Sequence, residues 1–453
     1  MESIEVKSPM YNLAAPGMVD NSTEEPLYRQ YDPDVAVTDA NNNININVRD
    51  MSEYYSLSDS FLEVTLEYSN AGAALAGGVV RPVHMAGGVA SCFNTSRLRV
   101  NNVLVEDNQY SLHNSFVKTL TTKSKQWLET CGKAQGVVLD TSQGNLATKH
   151  TAAGDITRIA AFNEGLLERA ELVGDDSLFA APLNKDFAHV DPAGTPTQTF
   201  TLPLSELFSF CSVDKVLKGA PIRIELIKNS GALNAFSSNA TAEVRVTACV
   251  LWLKIVRPSL PVLGELESMF ASEMVVPWNY PRWNVYSSDS NTEANRRYTF
   301  STLSQKPHTA FLVAHTADAN PGSQENHLRY DHLSMTDAKI RINGRQYPYS
   351  SYQMTWTSGS RQVARAYQEL VKFQARDENR TDGFAITPET FVSNYPVLHF
   401  DLANVEPSSG GYQVQIELTH AAPARNTTIY LVVVSEAKVQ VQLSNRNVLV
   451  YTN

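Results

Sequence analysis

The sequence predicts an all-β protein built from two β-sandwiches or barrels in tandem. Three observations carry that prediction. Short runs alternate apolar and polar residues, the period of a half-buried strand. Clusters of Gly, Pro, Asn and Ser separate the runs, as turns do. A stretch at 97–102, RLRVNN, returns as KIRING at 339–344, about half the chain later.

A chain of 453 residues is too long for one ordinary core, so two or three domains are expected. Residues 1–45 read as an N-terminal arm. They carry eight acids (Glu2, Glu5, Asp20, Glu24, Glu25, Asp32, Asp34, Asp39) and two bases (Lys7, Arg29), and end in the polar run NNNININ. The first sandwich is placed at 46–257. Its strand-like runs are FLEVTLEY (61–68), RLRVNNVLV (97–105), QTFTLPL (198–204), PIRIELI (221–227) and EVRVTACVLWLKIV (243–256). The last stops at Arg257-Pro258, because proline cannot donate to a ladder. SLPVLGELES opens a linker at 258–270. The second sandwich, at 271–453, holds RYTFSTL, TAFLVAHT, AKIRI, PVLHFDL, YQVQIEL and TIYLVVV.

Few helices are expected. Residues 113–131 place Val117, Leu120, Trp127, Leu128 and Cys131 on one face. Residues 360–373 do the same with Val363, Tyr367 and Leu370, and Ser360 is the expected N-cap. Residues 155–173 are ambiguous between helix and strand, with a break at Gly165. Each copy of the echo precedes a helical stretch and then a pair of strand-like runs. That shared order argues for a duplicated fold, with Asn101-Asn102 and Asn343-Gly344 as two copies of one hairpin turn.

Composition narrows the function. A net charge of −10 disfavours general nucleic-acid binding, which rests on clustered Lys and Arg. Cys92, Cys131, Cys211 and Cys249 have no CxxC spacing, so free thiols are expected rather than a disulfide or zinc framework. MESIEVKSPM lacks the apolar core of a signal peptide, so synthesis in the cytosol is expected. The most apolar window, 247–256, is too short to span a bilayer.

Catalytic patterns are weak. Gly174-Asp175-Asp176 lacks the second aspartate motif of a two-metal site and reads as a polar turn. His327, Asp331 and His332 lack helical zinc spacing and read as an exposed loop; His308 and His315 read as structural. CGKAQG (131–136) and the glycine-rich 76–88 segment match no phosphate loop, and no GxSxG motif occurs. Five N-x-S/T triplets, at Asn21, Asn94, Asn239, Asn379 and Asn426, read as compositional without a secretory signal. Lys118, Lys123, Lys125 and Lys133 read as a solvated helix face. No catalytic residue, cofactor or metal site is therefore expected.

Several stretches resemble the double jelly-roll major capsid proteins of icosahedral DNA viruses, the lineage of adenovirus hexons, tailless phages, virophages and polinton-like elements. YSLSDSFLEVTLEY (55–68) resembles the family's opening strand, and 96–120 its strand, turn and helix. NEGLLERAELV (163–173) is similar to the segment that follows that helix. The strongest match is 200–226, where Leu207, Phe208, Gly219, Pro221 and Arg223, with Ile224 and Leu226, fill the motif positions. AKIRINGRQYP (338–348) resembles the family's repeat of the strand and turn. The resemblance covers roughly 45–450. It implies two eight-stranded jelly-roll sandwiches with a few short helices in the loops, and no catalysis. It implies a homotrimer, a pseudo-hexagonal capsomer that tiles an icosahedral shell in the virion. The implied partners are the chain itself, neighbouring trimers, and penton and minor capsid proteins, without sequence-specific nucleic-acid binding. The acidic arm is expected to touch neighbouring subunits or minor capsid proteins. The competing reading is a tandem β-sandwich binding or attachment protein of lectin-like type.

Overall fold

In the computed structural model, the described residues are 27–38, 41–49, 52–70, 82–142, 163–174, 196–237, 240–273, 275–303, 305–318, 322, 325–377, 383–444 and 447–452. The first sandwich comprises β1 (Leu27–Tyr31), β2 (Asn43–Val48), β3 (Tyr54–Asn70), β4 (Phe93–Val100), β5 (Val103–Gln109), β6 (Thr197–Pro203), β7 (Ile222–Lys228) and β8 (Ala242–Val256). One sheet runs β1-β8-β3-β6 and the other β2-β7-β4-β5. The second comprises β9 (Val275–Ser287), β10 (Arg296–Leu303), β11 (Pro307–Thr316), β12 (Asp337–Ile342), β13 (Arg345–Gln353), β14 (Leu398–Asp401), β15 (Tyr412–Thr419) and β16 (Thr427–Ser444). Its sheets run β9-β16-β11-β14 and β10-β15-β12-β13. Shifting every label of the first sandwich by eight reproduces the second. Both are jelly rolls, and the neighbouring strands are antiparallel throughout. Two short additions widen the sheets: 216–218 pairs with β3, and β17 (Asn447–Thr452) pairs with β16.

Alternation builds the first core. Ile44, Ile46 and Val48 of β2 meet Ile222, Ile224 and Leu226 of β7 and Leu98 and Val100 of β4. Strand β8 buries Ala242, Val244 and Val246, then changes phase. A register shift between Val246 and Ala248 brings Cys249, Leu251, Leu253 and Ile255 inward instead. One extra residue thus keeps a fifteen-residue strand on one core as the sheet twists.

The second sandwich departs from clean alternation. Residues 310–314 of β11 are all buried, as are 431–434 of β16. Helices cover the outer face of this sheet. α1 (Ser111–Thr122), in the loop after β5, lays His113 on Tyr430, the rings stacked 3.8 Å apart. α4 (Ala364–Asp377), in the equivalent loop after β13, sets Phe373 edge-on to Phe311 at 5.0 Å. A helix of the first sandwich therefore completes the core of the second. Phe116, Val117 and Leu120 are buried there, each contributing about 1.5–3 kcal/mol of apolar burial.

Several expectations need correction. Residues 27–31 and 43–45, assigned to the arm, are strand residues of the first sandwich. β1 pairs with β8, and Ile44 is a core residue, so a polar composition did not prevent pairing. Residues 1–26 lie outside the described residues. The expected linker is a helix, α3 (Leu260–Ala271), with proline in its first turn, where the missing N–H costs nothing. The expected 113–131 helix is interrupted at Lys123, which is extended; Ser124 then caps a new turn by accepting from the Trp127 N–H. Ser360 lies upstream of the start of α4 and caps nothing there. The ambiguity of 155–173 resolves as helix over α2 (Glu164–Gly174), which begins beside Gly165; residues 155–162 lie outside the described residues. Asp175 and Asp176 lie outside the described residues.

Candidate assembly surfaces

The two echo turns sit at the same place in each jelly roll. Asn101-Asn102 joins β4 to β5, and Asn343-Gly344 joins β12 to β13. All four residues have positive φ, at 53°, 63°, 50° and 83°. The flanking pairs are Val100–Val103 and Ile342–Arg345, so both are two-residue turns whose twist suits a hairpin. Each is moored alike. The Asn101 N–H donates to the Pro221 carbonyl at 2.9 Å, and the Asn343 N–H to the Gln413 carbonyl at 3.0 Å. The Asn343 side chain also accepts from the Gln413 N–H at 2.8 Å.

The family-motif positions are dispersed rather than gathered. Leu207 and Phe208 are in the first core. Gly219 turns at φ 67° before β7. Arg223 faces outward on β7, paired with Glu225 at 2.7 Å. Glu106 serves the segment after Leu207: its carboxylate accepts from the Ser209 and Phe210 N–H groups at 3.0 and 2.5 Å. Burial pushes that carboxyl up, against the pull of the two N–H donors and Lys118.

The seam between the sandwiches is polar as well as apolar. Arg169 on α2 is fully buried and donates to Asp140 at 2.7 Å and to the Val138 carbonyl at 2.6 Å. Asp140 also accepts from Asn163 at 2.8 Å and from Asn326 of the second sandwich at 2.9 Å. Asn394 donates to the Asp140 carbonyl at 2.9 Å, and the Tyr395 hydroxyl accepts from its N–H at 2.8 Å. A buried charge needs this many partners to be tolerated. Beside the seam opens a cleft of ≈ 900 Å³. Lys118, Lys123 and Glu206 form one wall, and Tyr280, Trp283 and His308 the other. Lys118 donates to the Ser205 carbonyl and Lys123 pairs with Glu206, so the expected solvated lysine face is partly buried. Burial pushes the Lys118 ammonium down.

Outward surfaces carry unpartnered apolar groups. Tyr28, Phe61 and Trp252 form an aromatic strip across β1, β3 and β8, with centroids 5.6 and 6.5 Å apart. Tyr28 is 48% exposed. On α3 and the start of β9, Leu260 is 77% exposed, Met269 46% and Val275 52%. Strand β9 is an edge and carries Pro277 and Pro281, which discourage indiscriminate strand pairing there.

The rejected chemistry is accounted for by packing. His332 stacks on Trp356 at 4.6 Å, and Asp331 accepts from the Leu333 N–H at 2.7 Å. Neither joins His327. The loop from 325 to 330 is not exposed as expected: Glu325, Asn326, Leu328 and Tyr330 are buried. His327 lies instead beside His315 and Glu325, a grouping the sequence hid because a loop separates them. Cys92, Cys211 and Cys249 are buried and Cys131 is exposed, all four free.

No family model matches the sequence, and no curated protein matches it. Solved structures do. A cryo-EM structure of the Sputnik virophage aligns over 100% of this chain and 93% of its own, with TM-score 0.60 and 12% identity. The Faustovirus major capsid protein aligns over 94% and 92%, with TM-score 0.53 and 10% identity. The mavirus major capsid protein aligns over 100% and 96%, with TM-score 0.51 and 9% identity. At such identities the likeness is one of fold, and it spans the whole double jelly roll.

Proposed function

We propose that the chain is a major capsid protein that trimerises into pseudo-hexagonal capsomers and tiles an icosahedral virus shell. The observation that carries this reading is the duplicated jelly roll, locked into one body by α1 and the Arg169–Asp140 seam and matched end to end by the virophage structure. Three copies of such a body set six similar barrels around a threefold axis, which is how a trimer fills a hexagonal lattice. The work is self-association, with penton and minor capsid proteins as further partners and the virion as location. The aromatic strip and the exposed Leu260, Met269 and Val275 of α3 and β9 are the surfaces we assign to neighbours. The acidic composition leaves genome contact to other proteins.

Negative-stain electron microscopy of the purified chain tests this. Trimeric rings with pseudo-sixfold outline, or shells, are expected. Single bilobed particles that bind immobilised glycans would instead favour the attachment-protein reading.

A further inference from the structure

We propose that His315, Glu325 and His327 form a binding site for one divalent transition-metal ion of the zinc class. His315 Nε2 lies 2.9 Å from Glu325 Oε1, and His327 Nδ1 lies 3.7 Å from the same oxygen. The three candidate ligand atoms all fall within 4.8 Å of one another. Ligands about 2.0–2.2 Å from a tetrahedral ion sit about 3.4 Å apart. The cluster therefore needs only side-chain adjustment to close on a cation.

The wiring of His315 is the second observation. The Arg329 carbonyl lies 3.2 Å from Nδ1, and the Glu325 carboxylate faces Nε2. An acceptor stands at each ring nitrogen. With Nδ1–H donated to Arg329, the Nε2 lone pair faces a carboxylate, and something positive must lie between them. A proton does this, and so does a metal ion. The carbonyl behind the ring is the support that metal-bound histidines commonly have. His327 adds a third donor through Nδ1.

The frame is firm. His315 is in β11, and Asn326, between the other two ligands, donates to Asp140 of the seam at 2.9 Å. Side-chain exposures of 11%, 8% and 15% keep the cluster mostly dry. Asp318 is not a spare ligand, since its carboxylate accepts from Arg329 at 3.1 Å and from the Asn326 N–H at 3.3 Å. The fourth position falls to water. Two imidazoles and one carboxylate suit zinc and not calcium or magnesium, which take oxygen ligands. The ion would clamp the loop between β11 and β12 at the seam, a structural role independent of the capsid reading.

The test uses full-length, tag-free protein stripped with EDTA and dialysed. Isothermal titration with zinc chloride and elemental analysis are expected to give one zinc per chain, with a raised melting temperature. Cobalt loading is expected to give the visible absorption of a tetrahedral site, and this readout needs no variant. His327→Ala and Glu325→Gln are expected to weaken zinc binding at least about tenfold. Absence of stoichiometric zinc and of the cobalt band in the wild type overturns the site. So does a preference for calcium, or unchanged zinc binding in a His315→Ala/His327→Ala double variant.

Discussion

Gly165 and Gly344 look alike in the sequence and do opposite things. Gly344 sits at φ 83° with nothing within 4 Å of a Cβ built there, so its role is conformational. Gly344→Ala is expected to cost about 1–2 kcal/mol, the penalty of a left-handed backbone, read from the urea midpoint. Gly165 lies in a helix, and a Cβ there would come 1.9 Å from the Leu139 carbonyl oxygen. Gly165→Ala is expected to destabilise by about 1–3 kcal/mol through overpacking, in the same assay. The first role was legible because turn chemistry is local. The second was not, because the Leu139 backbone is distant in sequence. His84 shows the same limit. It is fully buried, with Tyr68 OH 3.0 Å from Nδ1 and the Gly136 carbonyl 2.8 Å from Nε2. Burial, with Arg169 nearby, pushes its imidazole down to about 4. The unfolded chain takes up that proton near pH 6.5 and the folded chain only near 4. The contribution is therefore full above pH 6.5 and is lost as pH falls toward 4, about 3 kcal/mol in all. Urea midpoints between pH 7 and 4.5 should fall in the wild type, and more shallowly in His84→Gln.

Strands were the readable elements. The alternation in β3, β7 and β8 points at one core, and the residues it names are the buried ones. β11 and β16 are continuous apolar runs, and only the structure explains them, since helices cover the sheet's second face. Helices α1 and α4 were found with shifted ends. α3 was read as a connector, yet its Pro261 is at home in a first helical turn. No periodicity could show that α1 serves the other sandwich. That placement has a consequence. Phe116, 1% exposed in the second core, is carried by a loop of the first sandwich. Phe116→Ala is expected to cost about 3–5 kcal/mol. Calorimetry should show one transition moving as a unit, not a second-sandwich peak shifting alone.

For the whole molecule, the six-residue echo turned out to mark one turn in a topology repeated strand for strand. The duplicated architecture was legible from that echo and its flanking elements. The surfaces that would join copies were not, because an aromatic strip, with Tyr28 exposed and Phe61 and Trp252 half-buried, arises from strands 27–31, 54–70 and 242–256 meeting in one sheet. We expect Trp252→Asp or Phe61→Asp to weaken association while leaving the far-UV circular dichroism unchanged. Removal of residues 1–26 is expected to weaken contacts between capsomers, read from shell stability. The central claim is that this double jelly roll exists to assemble by threes. Light scattering coupled to size exclusion measures it directly on the 50.0 kDa chain. A stable mass of three chains at micromolar concentration is the predicted result, and a monomer with no larger species would contradict it.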